Sequence, residues 1–224
     1  MSFSSQRPYL WLVGVLAVVG LVADLASKYV VFTKLYPSEP TQEVTSAAIV
    51  PSYFELRTGY SDSRDPGDEP LSFLRTIAGE RLPHVNRGAL FGLGNSGNGL
   101  NLWFAAVSVL AACFILAWAS RPIIARDRFL CVALGLILGG TLGNLYDRMV
   151  FSGVRDFLHI DLGFWPFSPW PDFNIADVCL VCGAGVLLAH SIFVSDTADQ
   201  PTPSAPLTAE PTATMQATSS TPGV

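Results

Sequence analysis

The sequence predicts an all-α membrane protein with four transmembrane helices and a small β-element outside the membrane, between helices 1 and 2. Half of the 224 residues are hydrophobic and only 14% are charged, a composition that is unusual for a soluble domain of this size. A helix needs about 20 apolar residues to span hydrocarbon. Runs of this kind lie at about 9–31, 100–119, 129–146 and 178–194.

The first apolar run could be mistaken for a secretory signal peptide, because Arg7 precedes it. No small-x-small cleavage triplet follows its apolar core, however, and Asp24 and Lys28 lie near its end. We therefore expect a retained membrane span.

The orientation of the chain follows from the arginines in its short connections. Arg121, Arg126 and Arg128 lie between spans two and three, and Arg7 lies before span one. Short segments rich in Lys and Arg stay in the cytoplasm. Both termini are therefore expected to be cytoplasmic, with segments 34–99 and 147–177 on the other side of the membrane.

The remaining segments divide into a β-element and a tail. Residues 49–57 and 85–93 are predicted as short strands from their Val, Tyr, Phe and Leu content, and the Gly-, Asp-, Ser- and Pro-rich segment 58–83 is predicted as an excursion between them. Residues 1–194 would form the membrane domain, with the β-element and its insertion at about 35–99. Residues 195–224 contain no Lys, Arg or aromatic residue and are predicted to form a disordered cytoplasmic tail.

Small residues inside the spans are interpreted as packing residues. Span three carries a small-xxx-small ridge that lets another helix approach closely, formed by Gly135, Gly139 and Gly143. The four cysteines also lie inside spans, where neither a disulfide nor a metal site is expected: Cys113, Cys131, Cys179 and Cys182.

Polar side chains gather at the outer ends of spans one, three and four. The set comprises Asp24, Lys28, Asn144, Asp147, Arg148, Asp156, Asn174 and Asp177. Ionisable residues beside hydrocarbon are costly and indicate function. Taken singly, Asp24 with Lys28 and Asp147 with Arg148 could be structural ion pairs. Asp156 could be a solvated loop acid, and Asp177 an acid favoured by the helix dipole.

Other peptidase chemistries have little support in the sequence. The segment 94–97 reads GNSG, as in serine intramembrane peptidases, but it precedes span two, and His190 lies near the opposite end of span four. The chain contains neither the H-E-x-x-H of zinc peptidases nor the G-x-G-D of presenilins.

Five motifs, in order, resemble the lipoprotein signal peptidase (signal peptidase II) family. They read D-x-x-x-K at 24–28, NRGALF at 86–91, GNLYDR at 143–148, VRDF at 154–157 and FNIAD at 173–177. The resemblance covers about residues 9 to 194. The segment between residues 56 and 85 is longer than the family usually has, and the acidic, Thr-rich tail is additional.

The resemblance implies an aspartic endopeptidase of the bacterial cytoplasmic (inner) membrane. Its site would lie at the extracytoplasmic face, the β-element would be periplasmic, and the signal peptides of diacylglyceryl-modified prolipoproteins would be removed before the lipidated cysteine. Asp156 and Asp177 would be catalytic. Substrate and oxyanion binding would fall to Asn86, Asn144, Arg148 and Asn174, and structural support to Asp24, Lys28, Gly88 and Asp147.

The implied partners are lipidated prolipoprotein signal peptides and membrane phospholipid. We expect a monomer that needs no metal or cofactor and binds no nucleic acid. Two other classes remain open: a small transporter or channel subunit that relays protons or ions through Asp24, Lys28 and Asp177, and a membrane scaffold built on the glycine ridge. The absence of internal repeats and broken helices disfavours the transporter.

Overall fold

A computed structural model describes residues 7–39, 42–61, 71–75, 81–88, 98–164, 168 and 170–198. Four α-helices contain most of these residues: α1 Leu10–Lys34, α2 Asn98–Ala119, α3 Arg128–Phe151 and α4 Ile175–Ala198. Each is long and apolar enough to cross a membrane. The prediction of four long apolar helices is therefore confirmed. The helices extend beyond the predicted apolar runs, mainly at their polar ends.

Large apolar side chains cover the outside of the bundle. Val18 of α1, Leu110 of α2 and Val181 of α4 are 60%, 69% and 71% exposed. Helices with faces this apolar suit hydrocarbon, where each backbone polar group must find its partner within the helix. The chain is therefore a multi-pass membrane protein.

Helix α3 is the centre of the bundle, because it packs against each of the other three helices. Its glycines allow close approach: a Cβ on Gly139 would lie 3.0 Å from the carbonyl oxygen of Ala17 in α1. A Cβ on Gly143 would lie 2.6 Å from Oδ2 of Asp24. The predicted ridge of Gly135, Gly139 and Gly143 is therefore a packing surface for α1 within the chain.

An antiparallel sheet packs on the C-terminal part of α1. Within the described residues its strands are β1 Val44–Val50, β2 Phe54–Ser61, β3 Leu82–Pro83 and β4 Leu158–Ile160, and β2 pairs with each of the other three. Tyr60 of β2, together with Phe157 and Leu158, packs against Val31 and Phe32 of α1. The sheet thus joins the residues that follow Asp156 to the first helix.

The predicted strand 49–57 is wrong in its extent. Residues 51–53 form a turn between β1 and β2, in which Ser52 has a left-handed φ of 67°. Pro51 has no N–H to give to a ladder, and the backbone N–H of Tyr53 donates to the carbonyl of Val50. The apolar run therefore bends into a hairpin instead of continuing as one strand.

The predicted second strand, 85–93, is also corrected. Asn86 forms only an isolated bridge with Val154, and residues 89–93 lie outside the described part of the chain. The sheet is not confined to the connection between α1 and α2 either, because β4 comes from the connection between α3 and α4. The label all-α is therefore too narrow, because the chain also contains a sheet, and the residues that follow Asp156 pair with it.

The insertion and the tail are described only in part. The predicted excursion 58–83 begins inside β2 and ends with β3, and its residues 71–75 lie against the end of α3. There the guanidinium of Arg75 donates to the carbonyl oxygen of Val150 at 2.8 and 3.0 Å. Helix α4 continues to Ala198, so the predicted tail begins with helix, and residues 199–224 lie outside the described part.

Candidate active site

Asp156 and Asp177 are brought together by one residue, Asn174. The side-chain amide of Asn174 donates to Oδ1 of Asp156 at 2.7 Å, and its backbone N–H donates to Oδ2 of Asp177 at 3.1 Å. Asn174 is fully buried, whereas the two aspartates are only partly buried. The two predicted catalytic carboxylates are therefore hydrogen-bonded to the same residue.

Each carboxylate accepts a second hydrogen bond, from the side-chain amide of an asparagine elsewhere in the fold. Asn86 donates its side-chain amide to Oδ2 of Asp156 at 3.2 Å, and Asn144 of α3 donates to Oδ1 of Asp177 at 2.8 Å. Every oxygen of the two carboxylates thus accepts a hydrogen bond, which fixes the plane of each group. The three predicted asparagines therefore orient the two aspartates. Asn144 has a second amide hydrogen with which a substrate could be held. Asn174 is fully buried, so its predicted contact with the substrate is corrected to a role in orienting the aspartates.

The position of Asp177 follows from the start of α4. The side-chain oxygen of Asn174, just before the helix, accepts from the backbone N–H of Asp177 at 3.1 Å, while Asp177 accepts from the backbone N–H of Asn174. This reciprocal pair is the pattern of a capping box. The helix dipole favours a negative charge at the same place. Asp177 is therefore both a helix-capping acid and a member of the pair.

The position of Asp156 follows from bonds on both sides of it. Val154 exchanges two backbone hydrogen bonds with Asn86, of 2.7 and 2.9 Å. Phe157 donates its backbone N–H to the carbonyl of Phe173 at 3.0 Å. Asp156 thus lies in an extended segment that is tied to the Asn86 segment on one side and to the residues before α4 on the other.

The electrostatic environment distinguishes Asp156 from an ordinary carboxylic acid. Burial raises its pKa to about 7, and the negative charge of Asp177 adds to the rise. The hydrogen bonds from Asn174 and Asn86 and the positive charge of Lys28 act in the opposite direction. Asp156 is therefore the group of the pair that we expect to hold a proton near neutral pH.

A buried ionic network lies beneath the pair. Lys28 donates to Oδ2 of Asp24 at 2.7 Å and lies 3.1 Å from Oδ2 of Asp147, and all three side chains are fully buried. Lys28 also lies 3.5 Å from Oδ1 of Asn144, the residue that binds Asp177. The second oxygen of Asp24 accepts the backbone N–H of Ala176 in α4 at 2.9 Å. These contacts support the predicted structural role of Asp24, Lys28 and Asp147.

The alternative in which Asp147 forms an ion pair with Arg148 is not the arrangement in the structure. Asp147 pairs with Lys28 and Arg155 instead, and the distance from its Oδ1 to Nη2 of Arg155 is 2.8 Å. Asp147 and Arg148 are adjacent in α3 and therefore point to different sides of the helix. Arg155 belongs to the VRDF motif, but its pairing with Asp147 was not predicted from the sequence.

Arg148 and Gly88 connect the pair to α2 and to the Asn86 segment. The guanidinium of Arg148 lies 4.8 Å from the ring centre of Phe104, donates to the carbonyl of Gly88 at 3.4 Å, and interacts electrostatically with both aspartates. Gly88 donates its backbone N–H to Oδ1 of Asn86 at 3.0 Å. Asn101 of α2 was missed by the sequence analysis, although its amide bonds to the carbonyl of Arg148.

Comparison with known proteins identifies the relatives of the chain. Residues 81–193 match a sequence model of the family described as Signal peptidase (SPase) II. A lipoprotein signal peptidase from Symbiobacterium thermophilum is 32% identical over 180 residues, which cover 80% of this chain and 93% of that protein. One from Rhodopirellula baltica is 48% identical in an alignment of 121 residues. That match covers 48% of this chain and 51%, about half, of that relative's length.

The fold has solved counterparts. A bacterial membrane enzyme solved at 2.3 Å resolution matches with a TM-score of 0.61 and 18% identity, over 85% of this chain and 93% of the other. A second bacterial membrane enzyme matches with a TM-score of 0.53, also at 18% identity, over 80% of this chain and 92% of the other. At this identity the likeness concerns the fold alone.

Proposed function

The chain belongs to the signal peptidase II family, and we propose that it removes signal peptides from diacylglyceryl-modified prolipoproteins, with Asp156 and Asp177 as an aspartic dyad. The observation that carries this proposal is that Asn174 donates a hydrogen bond to each of the two carboxylates. The pair lies in a chain with four helices that are long and apolar enough to cross a membrane. A transporter that relays ions through Asp24 and Lys28 has less support, since these groups are fully buried within a paired network.

The chemistry of the proposed dyad follows from two carboxyl groups that share one proton. Asp177, ionised, draws a proton from a water molecule as the water attacks the scissile carbonyl carbon. Asp156, protonated, donates to the carbonyl oxygen and stabilises the developing charge. When the tetrahedral intermediate collapses, the leaving nitrogen takes a proton from the dyad. The steps require no metal.

The supporting residues have separate tasks in this mechanism. Asn86 and Asn174 orient Asp156, and Asn144 and Asn174 orient Asp177, at distances between 2.7 and 3.2 Å. We propose that the remaining amide hydrogen of Asn144 and the guanidinium of Arg148 hold the substrate backbone, while the fully buried Asn174 orients the two aspartates. One chain supplies all of these groups, which is consistent with action as a monomer.

The pH dependence of cleavage tests the dyad. The single-turnover rate is expected to fall as pH rises through about 7, where Asp156 loses its proton. The assay uses purified protein in liposomes and a lipidated prolipoprotein, with release of the signal peptide measured by mass spectrometry. No cleavage at any pH would refute the proposed peptidase activity.

Histidines provide the control for this pH profile, because histidine is the common source of pH dependence near neutrality in proteins. The chain has three: His84, His159 and His190. A variant with all three changed to glutamine should keep the fall near neutral pH. Loss of that fall, or a wild-type rate that does not change through neutral pH, would remove Asp156 from the proposed proton chemistry.

We further propose that the dyad lies at the extracytoplasmic face of the bacterial inner membrane. The backbone N–H of Tyr9 donates to the carbonyl of Ala125 at 3.1 Å, and His190 lies 2.7 Å from Asp127. The start of α1 and the late part of α4 are therefore beside the α2–α3 connection. The arginines of this connection favour a cytoplasmic location for this end of the bundle, and the dyad would then lie at the opposite end.

Labelling of single cysteines tests this orientation. The native cysteines are first replaced, and cleavage activity is confirmed. An impermeant maleimide on spheroplasts should then label Tyr53→Cys, at a side chain that is 56% exposed in the hairpin turn. It should label Ile123→Cys, at a side chain that is 77% exposed in the α2–α3 connection, only after the membrane is opened. Labelling of Ile123→Cys alone in sealed spheroplasts would reverse the proposed orientation.

A further inference from the structure

Arg155 is the largest fully buried side chain of the described residues, with 1% of its surface exposed, and it immediately precedes Asp156. A buried guanidinium costs several kcal/mol of desolvation unless it is paired and hydrogen-bonded, so its presence here needs a reason. The proposed proton chemistry does not use it.

The guanidinium of Arg155 is held by one carboxylate and three aromatic rings. Its Nη2 and Nε donate to Oδ1 of Asp147 at 2.8 and 3.2 Å. The rings of Phe151, Tyr29 and Phe32 lie with their centres 4.0, 4.5 and 5.9 Å from its central carbon. A planar group that donates by two nitrogens and also stacks is a geometry that lysine cannot reproduce.

Asp147 binds the backbone of Arg155 as well as its side chain. Oδ2 of Asp147 accepts the backbone N–H of Arg155 at 2.9 Å. The chain between them leaves α3 through Ser152, whose φ of 62° is left-handed, so that residue 155 returns to the helix that it has just left. Asp147 therefore fixes the backbone at the residue before Asp156.

The charges of the whole cluster balance. Asp24 and Asp147 are two buried carboxylates, and Lys28 and Arg155 are two buried cations. Without Arg155, Lys28 would be the single cation shared by both acids. Asp147 would then turn towards Lys28, its remaining cation, and its hold on the backbone N–H of residue 155 would weaken.

We infer that Arg155 is a positioning residue for Asp156: by pairing with Asp147 it fixes the direction of that carboxylate, and Asp147 in turn fixes the backbone from which Asp156 extends. This inference rests on the proposed aspartic mechanism. A small displacement of a reacting group can lower the rate of a chemical step by about 100-fold. The loss of rate is expected in kcat and not in KM, because the buried Arg155 offers no surface to a substrate.

The test compares variants in the liposome assay with lipidated prolipoprotein. Arg155→Met keeps the length and apolar surface of the side chain but removes its charge, and is expected to lower kcat by about 10- to 100-fold with little change in KM. Arg155→Lys keeps the charge balance and is expected to lose part of kcat, because it lacks the two-nitrogen contact. Arg75→Met is the matched control: the Arg75 guanidinium lies 5.7 Å from the ring centre of Phe151, and its loss should leave kcat nearly unchanged.

The double variant Arg155→Met/Asp147→Asn separates positioning from general damage. It restores the charge balance and keeps a side-chain oxygen for the backbone N–H of residue 155, so its kcat should exceed that of Arg155→Met. Wild-type kcat in Arg155→Met or Arg155→Lys, or a double variant no faster than Arg155→Met, would overturn the inference. Failure of the wild type to cleave would instead refute the proposed function.

Discussion

A prolipoprotein in which serine replaces the cysteine that would be lipidated is expected to bind weakly to this protein and to remain uncleaved. The proposed dyad lies beside the ends of apolar helices, so its action on a signal peptide would require the scissile bond to be held at the depth of the membrane surface. Each acyl methylene buried in the bilayer contributes about 0.8 kcal/mol to anchoring. Two acyl chains on the cysteine therefore fix the depth of the bond to be cut, whereas a signal helix alone can slide past the dyad.

The experiment compares three substrates in the same liposomes: the lipidated prolipoprotein, the same protein with its cysteine left unmodified, and the serine variant. Only the first should be cleaved at an appreciable rate. The unmodified cysteine distinguishes recognition of the lipid from recognition of the thiol. Equal rates for all three would overturn the assignment to lipidated substrates, even if the aspartates proved to be catalytic.

Local spacing explains which parts of the site the sequence predicted. Asp24 and Lys28 are four residues apart on one helix, so their contact follows from helix geometry alone. Asn174 and Asp177 are three apart at a helix start, where reciprocal capping sets their geometry. For pairs of this kind the chain between the partners has one favoured conformation.

Contacts that depend on the path of the chain between elements were not predicted. Asp147 and Arg155 meet only because α3 ends at a left-handed Ser152 and the next residues fold back. Nothing in the spacing of eight residues predicts that turn. Adjacent Asp147 and Arg148 looked like a pair in the sequence, but the helix separates them, and a buried partner was available elsewhere.

The sheet was difficult for a related reason. Strand β1 reads VTSAAIV and is mostly exposed, so its apolar pattern is weak, and β4 has only three residues. Both are strands because β2 lies between them and offers its backbone groups on both edges. A strand whose stability comes from its neighbours carries little signal of its own.

The proposed dyad makes the second large prediction. Asp156→Asn and Asp177→Asn should each lower turnover by about two to four orders of magnitude, because an amide is neither a base nor a proton donor at neutral pH. The two groups act as a unit, so the double variant should be hardly slower than either single variant. Asparagine is close in size to aspartate, so folding should be retained, and thermal unfolding in detergent checks this.

Asp161→Asn is the matched control for the dyad variants. Asp161 lies five residues after Asp156, and its carboxylate accepts hydrogen bonds from the hydroxyl of Ser168 and the backbone N–H of Gly163. These bonds hold the pKa of Asp161 below its usual value, so it is an ordinary ionised surface acid. Its turnover should stay close to that of the wild type.

The most direct test measures single-turnover cleavage of lipidated prolipoprotein by the wild type, Asp156→Asn, Asp177→Asn, the double variant and Asp161→Asn, all at equal density in liposomes. The dyad predicts rapid release of the signal peptide by the wild type and by Asp161→Asn, and residual rates that are nearly equal in the other three. Turnover close to that of the wild type in either Asp156→Asn or Asp177→Asn would contradict the dyad and remove that residue from the mechanism.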